Sequence, residues 1–314
     1  MNAFLKYRLP GDKTINTCSF TGIANGCLIF DKVSIVPWLG TDLSNNTIMP
    51  VPDESTSESY YLDTISKLIA QLRKRGGKTV ICRQIAGRFN DFSLEQISQM
   101  YFEKFPDMFC FLFYHETTGY WLGASPELLF EIDADGHAKT RALAGTRNRS
   151  NCRQWSAKNI AEHEIVVDDI VQRIYSVSPS AKIKKMDRYD FRYGAIDHLC
   201  TPIEMYNIIK DDDTIDKFIS AIHPTAAVGG YPREKALEDI EDLEQTPRCC
   251  YGGYVSVCEE EKRIVYVILR CVHFNEKQWA VYTGSGITAE SLPEDEWKET
   301  ADKAAPLVDL LRKF

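Results

Sequence analysis

The alternation of apolar and polar positions predicts a chain built mainly of strands. Residues 18–37 interleave short apolar runs with Gly22, Gly26 and Asp31, the pattern of a hairpin. The stretch 41–59 is polar and proline-containing, which predicts a loop. From Tyr60 to Arg75, the residues Leu62, Ile65, Leu68, Ile69 and Leu72 recur at helical spacing, and Gly76-Gly77 ends the run. Lys78–Ile85 reads as a strand, and strand-length runs return at 108–114, 119–123, 127–133 and 138–144. A longer helix is expected near 155–176, with Ile160, Ile165, Val166, Ile170 and Ile174 on one side. Short helices follow near 212–221 and 233–243, then strands at 250–258, 262–272 and 278–283, and a closing helix from about Glu294 to Leu311. Strands fall in neighbouring hairpin-like runs and do not alternate with helices. The fold class expected is therefore α+β with largely antiparallel sheet, not a doubly wound nucleotide fold. Gly229-Gly230 and Gly252-Gly253 agree, because neither carries a GxGxxG or P-loop spacing.

Composition narrows the function classes. The 314 residues are 44% hydrophobic and carry a net charge of -8. An acidic surface argues against nucleic acid as a partner, since phosphate contacts need clustered Lys and Arg. A small anion can still bind where a metal ion or a few placed cations make the site. The longest apolar runs, Phe109–Tyr114 and Ile264–Leu269, fall far short of the roughly 18 residues of a spanning helix, so no membrane partner is expected. The first ten residues lack a signal-peptide core, and the ten cysteines show no CxxC pair. The expectation is a cytoplasmic protein with reduced thiols.

Charged residues at particular spacings carry the candidate chemistry. Glu296, Glu299 and Lys303 fall on one stripe of the closing helix. Lys158, Asn159, Glu162 and His163 open the helix near 155–176. Either group alone reads as a solvated face. Together they suggest carboxylates from distant segments meeting at a hard cation, for which magnesium is suited. In Gly123-Ala-Ser-Pro-Glu127 a glutamate sits among Trp121, Leu122, Leu128 and Leu129. If buried there it would hold a proton and could donate it; otherwise it is a strand-edge glutamate facing water. Lys78 opens an apolar strand and alone reads as a surface lysine. Gly284-Ser285-Gly286 reads as a turn, or as backbone N–H groups offered to a carboxylate. Arg270, an odd charge in a strand, is a candidate anion clamp.

Nine motifs then occur in one order: Lys78-Thr-Val-Ile-Cys-Arg83, Gly123-Ala-Ser-Pro-Glu-Leu128, Ala142-Leu-Ala-Gly-Thr-Arg147, Lys158-Asn-Ile-Ala-Glu-His163, His223-Pro-Thr-Ala-Ala-Val-Gly-Gly230, Tyr251-Gly-Gly253, Leu269-Arg-Cys271, Tyr282-Thr-Gly-Ser-Gly-Ile287 and Glu296-Trp-Lys-Glu-Thr300. In this order they resemble the chorismate-utilising enzymes: the isochorismate, salicylate, anthranilate and aminodeoxychorismate synthases. The resemblance implies a large, mostly antiparallel β-sandwich with helices outside. Residues 1–77 would form a shortened N-terminal part and 78–314 the catalytic region. It implies that Glu162, Glu296 and Glu299 bind Mg2+ and that Tyr251 and Arg270 hold the enolpyruvyl carboxylate. It places Gly284, Gly286 and Lys303 near the ring carboxylate and the metal, Ser285 among the substrate-binding residues, and Gly145, Thr146 and His223 along the pocket wall. Glu127 matches the general acid.

The branch implied is isochorismate synthase, feeding menaquinone or siderophore synthesis. Amine-adding relatives carry glutamine at the position of Lys78, where a lysine would serve as general base on water, and the aminodeoxychorismate branch often carries lysine at that of Ala144. A monomer with no glutaminase subunit is expected. The rivals are a salicylate synthase, which adds pyruvate elimination, and a non-catalytic chorismate-binding homologue. Three departures stand out: Asn159 for a common acid, Ala226 for a common proline and Ser285 for a common alanine.

Overall fold

The computed structural model describes residues 3–45, 47–150 and 154–314. The chain begins with strands β1 (Phe4–Arg8), β2 (Asn16–Ala24), β3 (Cys27–Phe30) and β4 (Val33–Val36), then helix α1 (Glu58–Arg75), β5 (Lys78–Arg88) and α2 (Leu94–Lys104). The strands β6 (Phe109–His115), β7 (Gly119–Ser125), β8 (Leu128–Ile132) and β9 (Ala138–Asn148) lead into α3 (Ala157–Val177). Next come β10 (Lys182–Lys185), β11 (Tyr189–Tyr193), β12 (Ile196–Tyr206), α4 (Asp212–Ile222), β13 (Gly230–Tyr231) and α5 (Arg233–Leu243). The chain finishes with β14 (Tyr254–Glu259), β15 (Lys262–Val267), β16 (Cys271–Phe274), β17 (Gln278–Ile287) and α6 (Pro293–Leu311).

Every described strand pairing is antiparallel, and the pairings form two sheets. The first runs β13-β5-β17-β16-β7-β6-β1-β2. In the second, β10 and β11 pair end to end along one edge of β12, and its other edge is followed by β9, β8, β15, β14, β4, β3 and β2. Strand β2 joins both, pairing with β1 through residues 16–19 and with β3 through residues 20–24.

Side-chain alternation along the strands sets the layers. On β6, Phe109, Phe111 and Phe113 point between the sheets, where Phe109 stacks on Tyr266 of the second sheet at 4.6 Å. The intervening Leu112 points outward and packs with Leu122, Val272 and Val281 beneath Ile97, Tyr101 and Phe102 of α2 and Leu307 and Leu311 of α6. The outer face of the second sheet, with Phe130, Ile203 and Met205, is covered by Val166, Ile170 and Ile174 of α3 and Phe218 of α4. The result is a β-sandwich with helices outside, the α+β architecture expected. No described helix is long and apolar enough to cross a membrane. The nine described cysteines are all free, Cys249 and Cys250 included, and Cys152 lies outside the described residues.

Caps fix the helices that carry charge. Ser57 accepts from the Tyr60 N–H at the start of α1, and Ser156 accepts from the Asn159 N–H at the start of α3. Several expectations need correction. Residues 18–37 form a three-stranded meander, not one hairpin. The run 262–272 is two strands, broken where Arg270 takes φ 50°. Gly284–Gly286 is no turn: it continues β17, paired with Cys82, Ile81 and Val80 of β5.

Gly230 has φ 139° where β13 meets Lys78 and Thr79. A Cβ there would collide with the Lys78 carbonyl and lie 2.6 Å from the Ala236 Cβ. Gly230→Ala is therefore expected to destabilise the protein by about 2–4 kcal/mol, the sum of backbone strain and overpacking. Urea unfolding checks this, and a loss under about 0.5 kcal/mol would mean that β13 shifts freely.

Candidate active site

The site forms where the first turns of α3 and α6 meet the paired ends of β5 and β17. Lys78 begins β5, is 1% exposed, and places its Nζ 2.9 Å from Glu162 Oε1. The cavity wall at this point is Gly286, where a Cβ would collide with Glu162 Oε1 and Lys78 Cε. Only glycine permits that pair so close to the sheet.

Three glutamates alternate with three lysines. Lys158 Nζ lies 3.0 Å from Glu162 Oε2, 3.0 Å from Glu296 Oε1 and 3.2 Å from the Gly286 carbonyl. Lys303 Nζ lies 2.6 Å from Glu299 Oε1 and donates to the Gly284 carbonyl at 2.9 Å. Burial alone would raise the Glu162 carboxyl, but Lys158 and Lys78 outweigh it and hold the group below the usual carboxylate range. Burial pushes Glu296 up, with Lys158 pulling against it. Glu296 Oε2 is buried and makes no hydrogen bond, while the nearby Ser291 hydroxyl accepts from the Thr288 N–H at 3.1 Å.

As the side chains stand, no three carboxylate, imidazole or thiol groups among the described residues converge closely enough to hold a metal ion. The donor set nevertheless fits a hard cation. Glu162, Glu296 and Glu299 supply only oxygen, and the unpartnered Glu296 Oε2 is a ready ligand atom.

On the other side of the cavity, Glu127 is 2% exposed. Burial pushes its carboxyl from 4.5 up to about 7, against a 2.8 Å hydrogen bond from Thr225 Oγ1 and the charges of Lys78, Arg270 and Lys303. Arg270 meets His198 Nε2 at 2.6 Å, donates to the Lys303 carbonyl at 3.3 Å and lies over the Tyr193 ring. Burial, then Arg270 and Lys303, hold His198 well below its ordinary value, so it is neutral and accepts from the guanidinium. The cavity volume is about 70 Å³, against roughly 300–1,000 Å³ for typical ligand sites.

A family model for chorismate binding enzymes matches residues 41–312. The chain belongs to the chorismate-binding enzyme family. It is 30% identical over 259 residues to the salicylate biosynthesis isochorismate synthase of Pseudomonas aeruginosa, covering 79% of this chain and 53% of that one. It is 32% identical over 201 residues to anthranilate synthase component 1 of Acinetobacter calcoaceticus, covering 60% and 39%. The chain thus spans about half or less of the length of these relatives. Its fold matches that of MenF, the menaquinone-specific isochorismate synthase of Escherichia coli, with a TM-score of 0.78 at 20% identity, over 99% of this chain and 89% of that one.

Within this chorismate-binding fold most of the residues expected at the site do meet. Lys78, Glu127, Gly145, Thr146, Glu162, Tyr251, Arg270, Gly284, Gly286 and Lys303 line one cavity. Glu296 and Glu299 line the adjoining outer cleft, joined to it through Lys158. Two residues do not reach the cavity. Ser285 falls between Gly284 and Gly286, so strand alternation turns it to the opposite face, where its hydroxyl meets Tyr61 at 2.9 Å. His223 lies behind the wall, its Nε2 2.7 Å from the Gly252 carbonyl, between the rings of Trp38 and Tyr254. Sequence reading missed His198, Thr225 and the bridging role of Lys158. His198 lies on β12, a strand that periodicity did not reveal. Lys158 was visible only as one more polar residue in a helix's first turn.

The Glu127 environment sets a stability prediction. Between pH 4.5 and 7 the unfolded carboxyl loses its proton while the folded one keeps it, so the folded state binds more protons and stability falls as pH rises. Glu127→Gln removes this cost. At pH 8 the variant is expected to gain on the order of 3 kcal/mol relative to wild type, and at pH 4 almost nothing. Urea unfolding at both pH values checks this; an equal difference at both would place the titration elsewhere.

Proposed function

We propose that the protein is an isochorismate synthase that converts chorismate to isochorismate with Mg2+. What carries this reading is a proton-bearing carboxyl, Glu127, pushed up to about 7 in the same cavity as a buried lysine at the position that separates water from ammonia chemistry. Water attacks ring C2 and gives its proton to Lys78, which must first shed its own. Protonated Glu127 gives its proton to the C4 hydroxyl as that group departs. One water enters, one leaves, and the ring keeps its oxidation state. Arg270 and Tyr251 hold the enolpyruvyl carboxylate, while Lys303 and the backbone at Gly284 and Gly286 face the ring carboxylate. Glu162, Glu296 and Glu299 would hold the magnesium ion, whose charge offsets that of the ring carboxylate. Lys78, not glutamine, and Ala144, not lysine, favour water over ammonia or an enzyme amine as nucleophile.

Chromatography of products from purified protein, chorismate and Mg2+ tests this. Isochorismate should form, EDTA should stop it, and added magnesium should restore it. Glu127→Gln should lower turnover by roughly 10²- to 10⁴-fold, the usual worth of a placed acid. Lys78→Gln should abolish isochorismate formation without loss of folding. Isochorismate formation by Lys78→Gln at near the wild-type rate would remove Lys78 as the base that activates water, and with it the branch argument that rests on this position.

A further inference from the structure

Lys158 stands between two of the carboxylates assigned above to the cation. Its ammonium touches three oxygens, Glu162 Oε2, Glu296 Oε1 and the Gly286 carbonyl, at 3.0–3.2 Å. Two of these belong to carboxylates assigned above to the metal. An ammonium holds oxygen near 3.0 Å, whereas magnesium holds it at about 2.0–2.1 Å. Lysine and metal therefore cannot share the site, and each carboxylate must close in by about 1 Å when the lysine leaves. Lys158 has somewhere to go. It is anchored on the first turn of α3, its side chain is 18% exposed, and it lines an open outer cleft of about 410 Å³ with Asn159 and Glu299. Lys78, by contrast, is sealed at 1% exposure.

We propose that Lys158 is a tethered counter-ion that holds Glu162 and Glu296 together in the metal-free enzyme and swings into the outer cleft when the divalent cation binds. Two buried carboxylates with no cation between them would repel each other, and burial strengthens that repulsion. The lysine keeps the empty site folded and aims its oxygens at one point. It also competes with the metal, so the enzyme fills its site only at high free cation. This rests on the magnesium assignment of the proposed function, and the test separates the two.

The experiment is a thermal melt of substrate-free protein titrated with Mg2+, for wild type and Lys158→Met. In EDTA the variant should melt lower, because its carboxylates face one another unshielded. Its stabilisation midpoint should come at a magnesium concentration at least about tenfold lower, since no internal cation competes. A midpoint equal to or above that of wild type overturns the proposal. Should the variant not fold, wild type decides alone by acetic anhydride labelling and mass spectrometry. Acetylation of Lys158 should rise on adding Mg2+ while Lys78 stays protected; unchanged labelling of Lys158 overturns the proposal. A wild-type protein that does not respond to Mg2+ with or without chorismate refutes the metal assignment itself, and the counter-ion role falls with it.

Discussion

Three lysines and three glutamates are paired in one small site, with Lys78, Glu162 and Glu296 buried and Lys158, Glu299 and Lys303 half-buried at its edge. Lys78, Lys158 and Lys303 neutralise Glu162, Glu296 and Glu299 through contacts of 2.6–3.0 Å. A buried charge without a partner costs several kcal/mol, so the site tolerates its carboxylates only because ammonium groups stand among them. The same low-dielectric surroundings leave Glu127 across the cavity holding a proton near neutrality. Ion pairs on one wall face a neutral carboxyl on the other, and the proposed reaction uses that asymmetry.

The sandwich makes that geometry rigid. Lys78 is fixed by β5, whose backbone pairs with β17 from Thr79↔Ile287 to Arg88↔Gln278. Gly284 and Gly286 remove side chains from the β17 face that the lysines and Tyr251 occupy. Behind this wall, Arg248 is buried against Glu244 and donates to the carbonyls of Val80 and Val228, and His223 ties the turn at Gly252. These residues do not line the active-site cavity, yet they hold the strand ends and the Tyr251 turn in register.

Much of the fold is legible in the sequence because long elements repeat their pattern. Helices α1, α5 and α6 and strands β5 to β9 bury one face or both, so apolar periodicity marks them. Strands β10 and β11 do not: Lys182-Ile-Lys-Lys185 lies at a sheet edge with mostly exposed side chains, and nothing in its composition says strand. At the site, spacing alone places Glu296, Glu299 and Lys303 on one stripe, and the motif order adds Lys78, Glu127 and Glu162. Strand alternation could have turned Ser285 away from the cavity, since both its neighbours face in. The Lys158–Glu296 bridge spans more than a hundred residues and depends on how two helix starts converge, so no local pattern could reveal it.

The central claim is that water, activated opposite a protonated Glu127, is the nucleophile in this cavity. The most direct measurement is turnover of chorismate in ¹⁸O-labelled water with Mg2+, followed by mass spectrometry of the isolated product. One labelled oxygen at C2 of isochorismate is the expected result. An unlabelled isochorismate, a 2-amino product formed from ammonia, or unchanged chorismate would contradict it.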